Sequence, residues 1–319
     1  MDIDLNLLPH VLALARHQNF ARAADAMSIS QPALSRIIGR LEKKLGVMLF
    51  DRTRDGVVPT EYGRLMIEQG RDILNRSSEL RREISLMQGL KIGQLAVAVG
   101  PYPHVISAGS AMTRFVARCP NVQLRLEQLS PRAAVAKVLE GEVDLGIADV
   151  RDWQDDTRLE IELLPPHVGV WICRAGHPLE RRKKLTLEEV LHYPMISCAM
   201  PRQFADLFGK YPNAGRLNND SGQFNPAITI DSLALGPGFA AISDAIMLTP
   251  PILAAELLKR GELVILDLYL PWQHTNYGFI YKRDRSLSSV TKEYMAYVRA
   301  EEAEAVEVGR RLLDEFVSR

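Results

Sequence analysis

At 319 residues the chain is long for one ordinary domain and ample for two or three. Its 39 Lys and Arg residues balance 39 Asp and Glu, and its 47% hydrophobic and 7% aromatic residues are the composition of a soluble globular protein. No apolar run approaches the roughly 18 residues of a transmembrane helix, and the acidic start Met1-Asp2-Ile3-Asp4 does not read as a secretory signal. A cytoplasmic chain with no membrane partner is therefore expected.

Residues 4–17 carry Leu5, Leu8, Leu12 and Ala15 at helical spacing. Asn19 is a natural N-cap for a second helix, in which Phe20, Ala23, Ala24 and Met27 recur on one face. Ser28-Ile29-Ser30 interrupts that run. Ser30 then caps a third helix that opens with Gln31-Pro32, where proline is tolerated, and that Gly46 closes. Leu34, Ile38, Leu41 and Leu45 form its apolar stripe, and the small pair Ala23-Ala24 lets the two helices cross closely. Two short helices in this order have the form of a helix-turn-helix, whose second helix enters a DNA major groove. Around Arg52, the segments Val47–Arg52 and Gly56–Val58 read as two short strands flanking a turn, the wing of such a domain.

A net charge of zero argues against a nucleic-acid partner until its distribution is considered. Between Ser30 and Arg54 stand six basic residues (Arg36, Arg40, Lys43, Lys44, Arg52, Arg54) and two acidic ones (Glu42, Asp51). Such a local excess suffices for phosphate contact, and a dimer doubles it.

Four segments in unbroken register, Phe20–Ala24, Ser30–Ser35, Leu41–Gly46 and Leu49–Arg52, closely resemble the winged helix-turn-helix of LysR-type transcriptional regulators. The likeness is sharpest there, while order and spacing agree to the end of the chain. Two departures stand out: Gly39 in mid-helix, and Val58-Pro59-Thr60 where the family usually has a leucine before the threonine. The resemblance implies that Gln31, Pro32, Ser35 and Arg36 meet base edges and nearby phosphates. Arg40 lies on the same outward face, while Arg52, Arg54 and Thr60 would position the DNA backbone.

Thr60 opens a long helix running to about Gly89, roughly 40 Å at ~1.5 Å per residue. Tyr62, Met66, Ile73, Ser77, Leu80, Ile84 and Met87 lie close to a heptad seam. The seam suits an antiparallel dimer helix better than the alternative, a helix lying on its own second domain. From Gly93 the pattern alternates strand and helix: strands at Leu95–Val99, Val122–Leu126 and Val143–Ala148, with helices through Phe115 and over Arg132–Glu140. A second lobe begins near Val168–Ile172, takes in strands near Met195–Ser197 and Ala227–Ile230, and ends around Leu263–Leu266. Tyr277–Tyr281 returns to the first lobe, and residues 289–318 form a closing helix, acidic at 301–307. The expected fold is thus α/β overall. An N-terminal winged helix-turn-helix (1–59) is followed by a long linker helix (60–89) and a two-lobed α/β effector domain resembling periplasmic binding proteins (90–319). Lobe I would cover about 93–163 plus 268–319, and lobe II about 164–267.

In open α/β sheets small molecules bind outside the carboxyl ends of strands. Together with the resemblance, this marks Pro101, Tyr102, Ser130, Pro131, Met200, Pro201, Arg202, Gln203 and Ser232 as effector contacts. A helix start after Cys198 and the Arg202 guanidinium would suit a carboxylate, so an acidic metabolite with an apolar body is expected. The seven histidines show no zinc-hydrolase spacing, and G-x-S-x-G, P-loop and G-x-G-x-x-G signatures are absent. Neither enzymatic activity nor a metal or cofactor is expected beyond a small-molecule co-inducer. Cys119, Cys173 and Cys198 show no paired spacing and read as reduced core thiols; the oxidant sensors of the family use two cysteines that meet. The resemblance further implies promoter DNA, a second copy of the chain (a dimer through the linker helix, and a tetramer of dimers) and RNA polymerase as partners. A nucleoid-type DNA protein and a two-lobed solute-binding protein are the alternatives.

Overall fold

The computed structural model describes residues 4–53, 56–87, 93–219 and 222–316. The chain divides into two compact units, Met1–Ile92 and Gly93–Arg319.

In the first unit a 3-10 turn (Leu5–Leu7) leads into α1 (Leu8–His17), followed by α2 (Phe20–Ala26) and α3 (Gln31–Leu45). The caps are local chemistry. Asn19 Oδ1 accepts the Ala21 and Arg22 amides at 2.9 and 3.1 Å, and Ser30 Oγ accepts the Ala33 amide at 3.3 Å. Gly46 ends α3 at φ +74°, a left-handed conformation that glycine adopts without strain. Val11, Leu14, Ala23, Ala24, Leu34, Ile38, Leu41 and Leu49 form the buried core of this unit. The wing is a two-stranded antiparallel ribbon, β1 (Phe50–Thr53) and β2 (Gly56–Pro59). Two contacts root it. Glu42 Oε1 accepts the Leu49 and Phe50 amides at 2.8 and 3.2 Å, and the Val57 amide donates to the Gln18 carbonyl at 2.9 Å.

The long helix α4 (Glu61–Met87) lies close against the core at two glycines. A Cβ at Gly63 would stand 1.9 Å from the Leu49 carbonyl oxygen, and one at Gly70 would stand 2.9 Å from Leu8 Cδ2. On another stripe Tyr62, Leu65, Ile73, Leu80 and Ile84 are exposed.

The second unit holds two five-stranded sheets. The first uses β3 (Gly93–Val99), β4 (Val122–Gln128), β5 (Leu145–Asp149), β6 (Leu159–Leu163) and a returning late strand. Between them lie α5 (Pro101–Pro103), a π turn (His104–Ala108), α6 (Gly109–Arg118) and α7 (Pro131–Leu139). The second sheet comprises β7 (Val170–Arg174), β8 (Met195–Ser197), β11 (Ile228–Thr229), β12 (Ile246–Thr249) and β13 (Leu263–Ile265), with a hairpin of β9 (Gly215–Asn218) and β10 (Gln223–Pro226) beside it. Its helices are α8 (Leu187–Val190), α9 (Gln203–Phe208), α10 (Gly236–Ala241) and α11 (Ala255–Lys259). β14 (Tyr277–Lys282) is the returning strand, antiparallel between β5 and β6, and α12 (Ser289–Phe316) closes the chain.

Strand order in the first sheet is β4-β3-β5-β14-β6 and in the second β11-β8-β12-β7-β13. In each, four strands run in one direction and the strand arriving from the other lobe (β14 or β7) pairs antiparallel between two of them. The two crossing segments pair with each other: the Gly169 amide donates to the Gln273 carbonyl at 2.8 Å and the Thr275 amide to the His167 carbonyl at 3.0 Å.

Candidate functional site

On the first unit, Gln31, Pro32, Arg36, Gly39, Arg40 and Lys43 all lie exposed on α3, opposite its buried stripe, and Ser35 is half-buried beside them. Arg36, Gly39, Arg40 and Lys43 line a shallow concavity on this face together with Ala33 and Ile37. Arg52 is latched rather than free to swing. Its Nη2 donates to Ser35 Oγ at 3.2 Å and its guanidinium stacks 4.8 Å from the Phe20 ring centroid. The wing root is thereby fixed to both helices of the motif. Thr60 departs from the expected backbone-contacting role, because its hydroxyl is engaged inside the protein. It donates to the Met48 carbonyl at 2.7 Å and accepts the Gly63 amide at 3.0 Å, capping α4. Arg54 lies outside the described residues.

On the second unit, a cavity of about 90 Å³ opens between the two sheets at the carboxyl ends of their parallel strands. Of the residues expected to contact an effector, Pro101, Tyr102, Pro131, Met200 and Pro201 line it, with Phe204, Leu248, Pro250 and Trp272 extending the apolar wall. Four expected contacts do not reach it. Ser130 caps α7 by accepting the Ala133 amide at 3.3 Å, and Ser232 is exposed before a short turn. Arg202 and Gln203 are exposed at the start of α9, a helix of six residues. The expected carboxylate seat is therefore not assembled: the guanidinium meant to charge it stays outside.

The cavity's polar groups come largely from residues the sequence reading did not select. Arg151 binds the Asp149 carboxylate and donates to the His274 carbonyl at 2.7 Å. Burial pushes the Asp149 carboxyl above its ordinary range, and the Arg151 charge pulls it partly back. At the lobe junction the buried His167 Nε2 lies 2.7 Å from Oε2 of the fully buried Glu302, a residue of α12. Tyr277 donates its hydroxyl to the same carboxylate at 3.0 Å, and burial followed by that negative charge raises the Tyr277 hydroxyl well above its usual pKa. Tyr102 donates to the Leu248 carbonyl at 3.2 Å, and burial likewise raises its hydroxyl. Thr249 Oγ1 and Gln273 Nε2, both buried, find no hydrogen-bond partner among the described residues. A strand signal for β12 was present in the apolar run Ile246-Met247-Leu248. Gln273, Trp272 and His167 sit on crossing segments, where no periodicity marks a side chain as inward.

Two family models match the chain: "Bacterial regulatory helix-turn-helix protein, lysR family" over residues 5–64 and "LysR substrate binding domain" over residues 88–303. The chain belongs to the LysR family of transcriptional regulators. Accordingly it is a DNA-binding regulator with an effector-binding domain. It is 34% identical over 304 residues to the SDS degradation transcriptional activation protein of a Pseudomonas species, covering 94% of this chain and 97% of that one. With the DNA-binding transcriptional dual regulator OxyR of Escherichia coli it shares 27% identity, covering 92% and 94%. Among solved structures, full-length OxyR from Pseudomonas aeruginosa superposes with a TM-score of 0.64 at 18% identity, covering 93% of this regulator and 98% of the OxyR chain. Full-length CbnR complexed with its target DNA gives 0.55 at 16%, covering 94% and 100%. These likenesses carry the fold. No helix among the described residues is long and apolar enough to cross a membrane.

Proposed function

We propose that this LysR-family regulator acts in the cytoplasm, reads promoter DNA with α3 and its wing, and adjusts transcription when a small molecule occupies the cavity between its lobes. The carrying observation is the single exposed face of α3 that presents Gln31, Pro32, Ser35, Arg36 and Arg40, braced by the Arg52 latch on Ser35 and Phe20. Arg36 reads a guanine edge by a bidentate contact and Gln31 an adenine edge; Arg40, Arg52 and Arg54 supply phosphate contacts. The exposed stripe Tyr62, Leu65, Ile73, Leu80 and Ile84 on α4 supports dimerisation along that helix, with dimers pairing into a tetramer. RNA polymerase is the partner through which promoter occupancy becomes transcription. The chain performs no chemistry of its own and needs no resident cofactor.

The test selects genomic fragments with the purified full-length chain, then compares wild type and Arg36→Ala on a selected promoter and on unrelated DNA at physiological salt. Loss of one bidentate base contact costs about 1–3 kcal/mol of discrimination, roughly 5- to 150-fold in affinity. The promoter should lose that much and unrelated DNA far less. Equal losses on both would reject base readout by Arg36, and an absence of enriched fragments would favour a nucleoid-type role.

A further inference from the structure

The charge and hydrogen-bonding capacity of the cavity identifies the kind of molecule it takes. Among its described lining residues Arg151 is the one guanidinium or ammonium, and it is already neutralised by Asp149, which lines the same space. Its remaining reach goes to the His274 carbonyl and to the face of Phe204, 5.7 Å from the ring centroid. The His167 imidazole is likewise committed, 2.7 Å from the buried Glu302 carboxylate. The exposed His274 ring adds no guanidinium or ammonium, its Nδ1 lying 3.2 Å from the Pro271 carbonyl. An entering carboxylate would therefore shed its water without meeting a free guanidinium or ammonium, and would face Asp149 as well. Burying an unpaired charge in such a setting is far costlier than burying a hydrogen-bonded neutral group.

What the cavity wall does hold is unused hydrogen-bonding capacity. Gln273 Oε1 accepts the Leu270 amide at 3.0 Å, which fixes the side-chain amide so that Nε2 is the end left without a partner. Thr249 Oγ1 is the second unpartnered group, and both residues are buried in the cavity wall. A buried donor left unmade is unfavourable, so a ligand supplying an acceptor there gains more than one replacing a solvated contact. Around these two groups the wall is apolar: Tyr102, Met200, Phe204, Leu248, Pro250 and Trp272.

We propose that the effector is uncharged at neutral pH, a compact and largely apolar molecule presenting one or two acceptor oxygens (an ester, amide, ketone or alcohol) to Gln273 Nε2 and Thr249 Oγ1. This rests on the reading of the cavity as the effector site, and replaces the acid expected from Arg202.

The experiment uses the full chain and matched probe sets at neutral pH: benzoate against benzamide, methyl benzoate and benzyl alcohol, and hexanoate against hexanamide and hexanol. Binding is read by thermal shift and by tryptophan fluorescence, since Trp272 lines the cavity. Neutral members should bind at least about ten-fold more tightly than their acids, with Gln273→Leu and Thr249→Val each removing much of that binding. Asp149→Asn frees Arg151 and should move the preference toward the acids; because it keeps the shape of the side chain, it also guards against a Gln273 variant that simply unfolds. Tighter binding of the acids to wild type overturns the ligand class alone. Silence of both sets, or neutral binding indifferent to Gln273→Leu and Thr249→Val, overturns the reading of the cavity itself.

Discussion

Gly39 is the ninth of the 15 residues of α3, exposed between Arg36, Arg40 and Lys43. A glycine in a helix interior costs about 1 kcal/mol relative to alanine, through the backbone freedom it surrenders on folding. A Cβ built at Gly39 meets nothing within 4 Å, so Gly39→Ala brings no steric penalty to set against that gain. The substitution should therefore stabilise the N-terminal unit by about 1 kcal/mol, a factor of about five in the population of opened molecules. The described tryptophans all lie in the second unit, so hydrogen–deuterium exchange of α3 peptides is the suitable assay, with protection expected to rise about five-fold. Promoter affinity should move the other way. The added methyl projects from the face that meets DNA, and a glycine there lets the duplex approach the helix backbone closely. Lower protection in Gly39→Ala would refute the energetic reasoning. Promoter affinity that stays level or improves would refute the role of Gly39 in DNA approach.

His177 is held neutral in the fold: its Nδ1 accepts the Leu179 amide at 3.1 Å, leaving the Nε2 proton to the Asp244 carbonyl at 3.2 Å. Burial lowers its pKa below the ordinary 6.5, so its contribution to stability is present above that pH and is lost as pH falls below it. The melting temperature should drop on acidification from about pH 7.5 to about pH 5, and less steeply in His177→Gln; a flat wild-type profile would sink this. Burial pushes the Cys198 thiol up to about 11, leaving roughly one thiolate in ten thousand at neutral pH. Dilute peroxide should therefore leave Cys198 unmodified by mass spectrometry and promoter binding unchanged, whereas stoichiometric sulfenic acid within minutes would contradict it.

The helical elements of the first unit were legible because their determinants are local. Asn19, Ser30 and Gly46 terminate helices through their own side chains or their φ preference, and the Leu34-Ile38-Leu41 stripe declares its buried face. Glu42 was not legible: it reads as one acidic residue in a basic helix, and only the fold shows it accepting two wing amides. In the second unit, strand ends announced Pro101, Tyr102, Pro131, Met200 and Pro201 as cavity residues. Arg202, expected among the effector contacts, lies exposed outside the cavity wall; the sequence places a guanidinium near a strand end without saying which way it faces. Arg151, Thr249 and Gln273 stayed hidden for a different reason. They meet only when segments from residues 151, 249 and 273, distant in sequence, come together where the chain crosses between lobes, and no local pattern encodes that meeting.

The same crossing governs how a ligand can act at a distance. A molecule shifts the equilibrium of a regulator only as far as it prefers one arrangement over the other. Here α12 opposes a wide opening of the lobes. It is anchored on the first lobe by the Tyr294 hydroxyl donating to the Ala108 carbonyl at 2.9 Å, while Leu313 and Phe316 pack against the core of the second. Those last contacts lie beyond residue 303, where the match to the effector-domain family model ends. Separating the lobes would strip them at about 1.5–3 kcal/mol for each large apolar side chain fully exposed. Smaller movements at the junction carry no such penalty. There Glu302 of the same helix holds His167 and Tyr277, and Gln273 bonds Gly169 on the neighbouring segment. His167, Tyr277 and Gln273 all line the cavity. A ligand bound to Gln273 would therefore act directly on the two crossing segments. The His167–Glu302 contact joins them to the helix that spans both lobes, so a response carried by the junction is expected in preference to a clamp swinging shut.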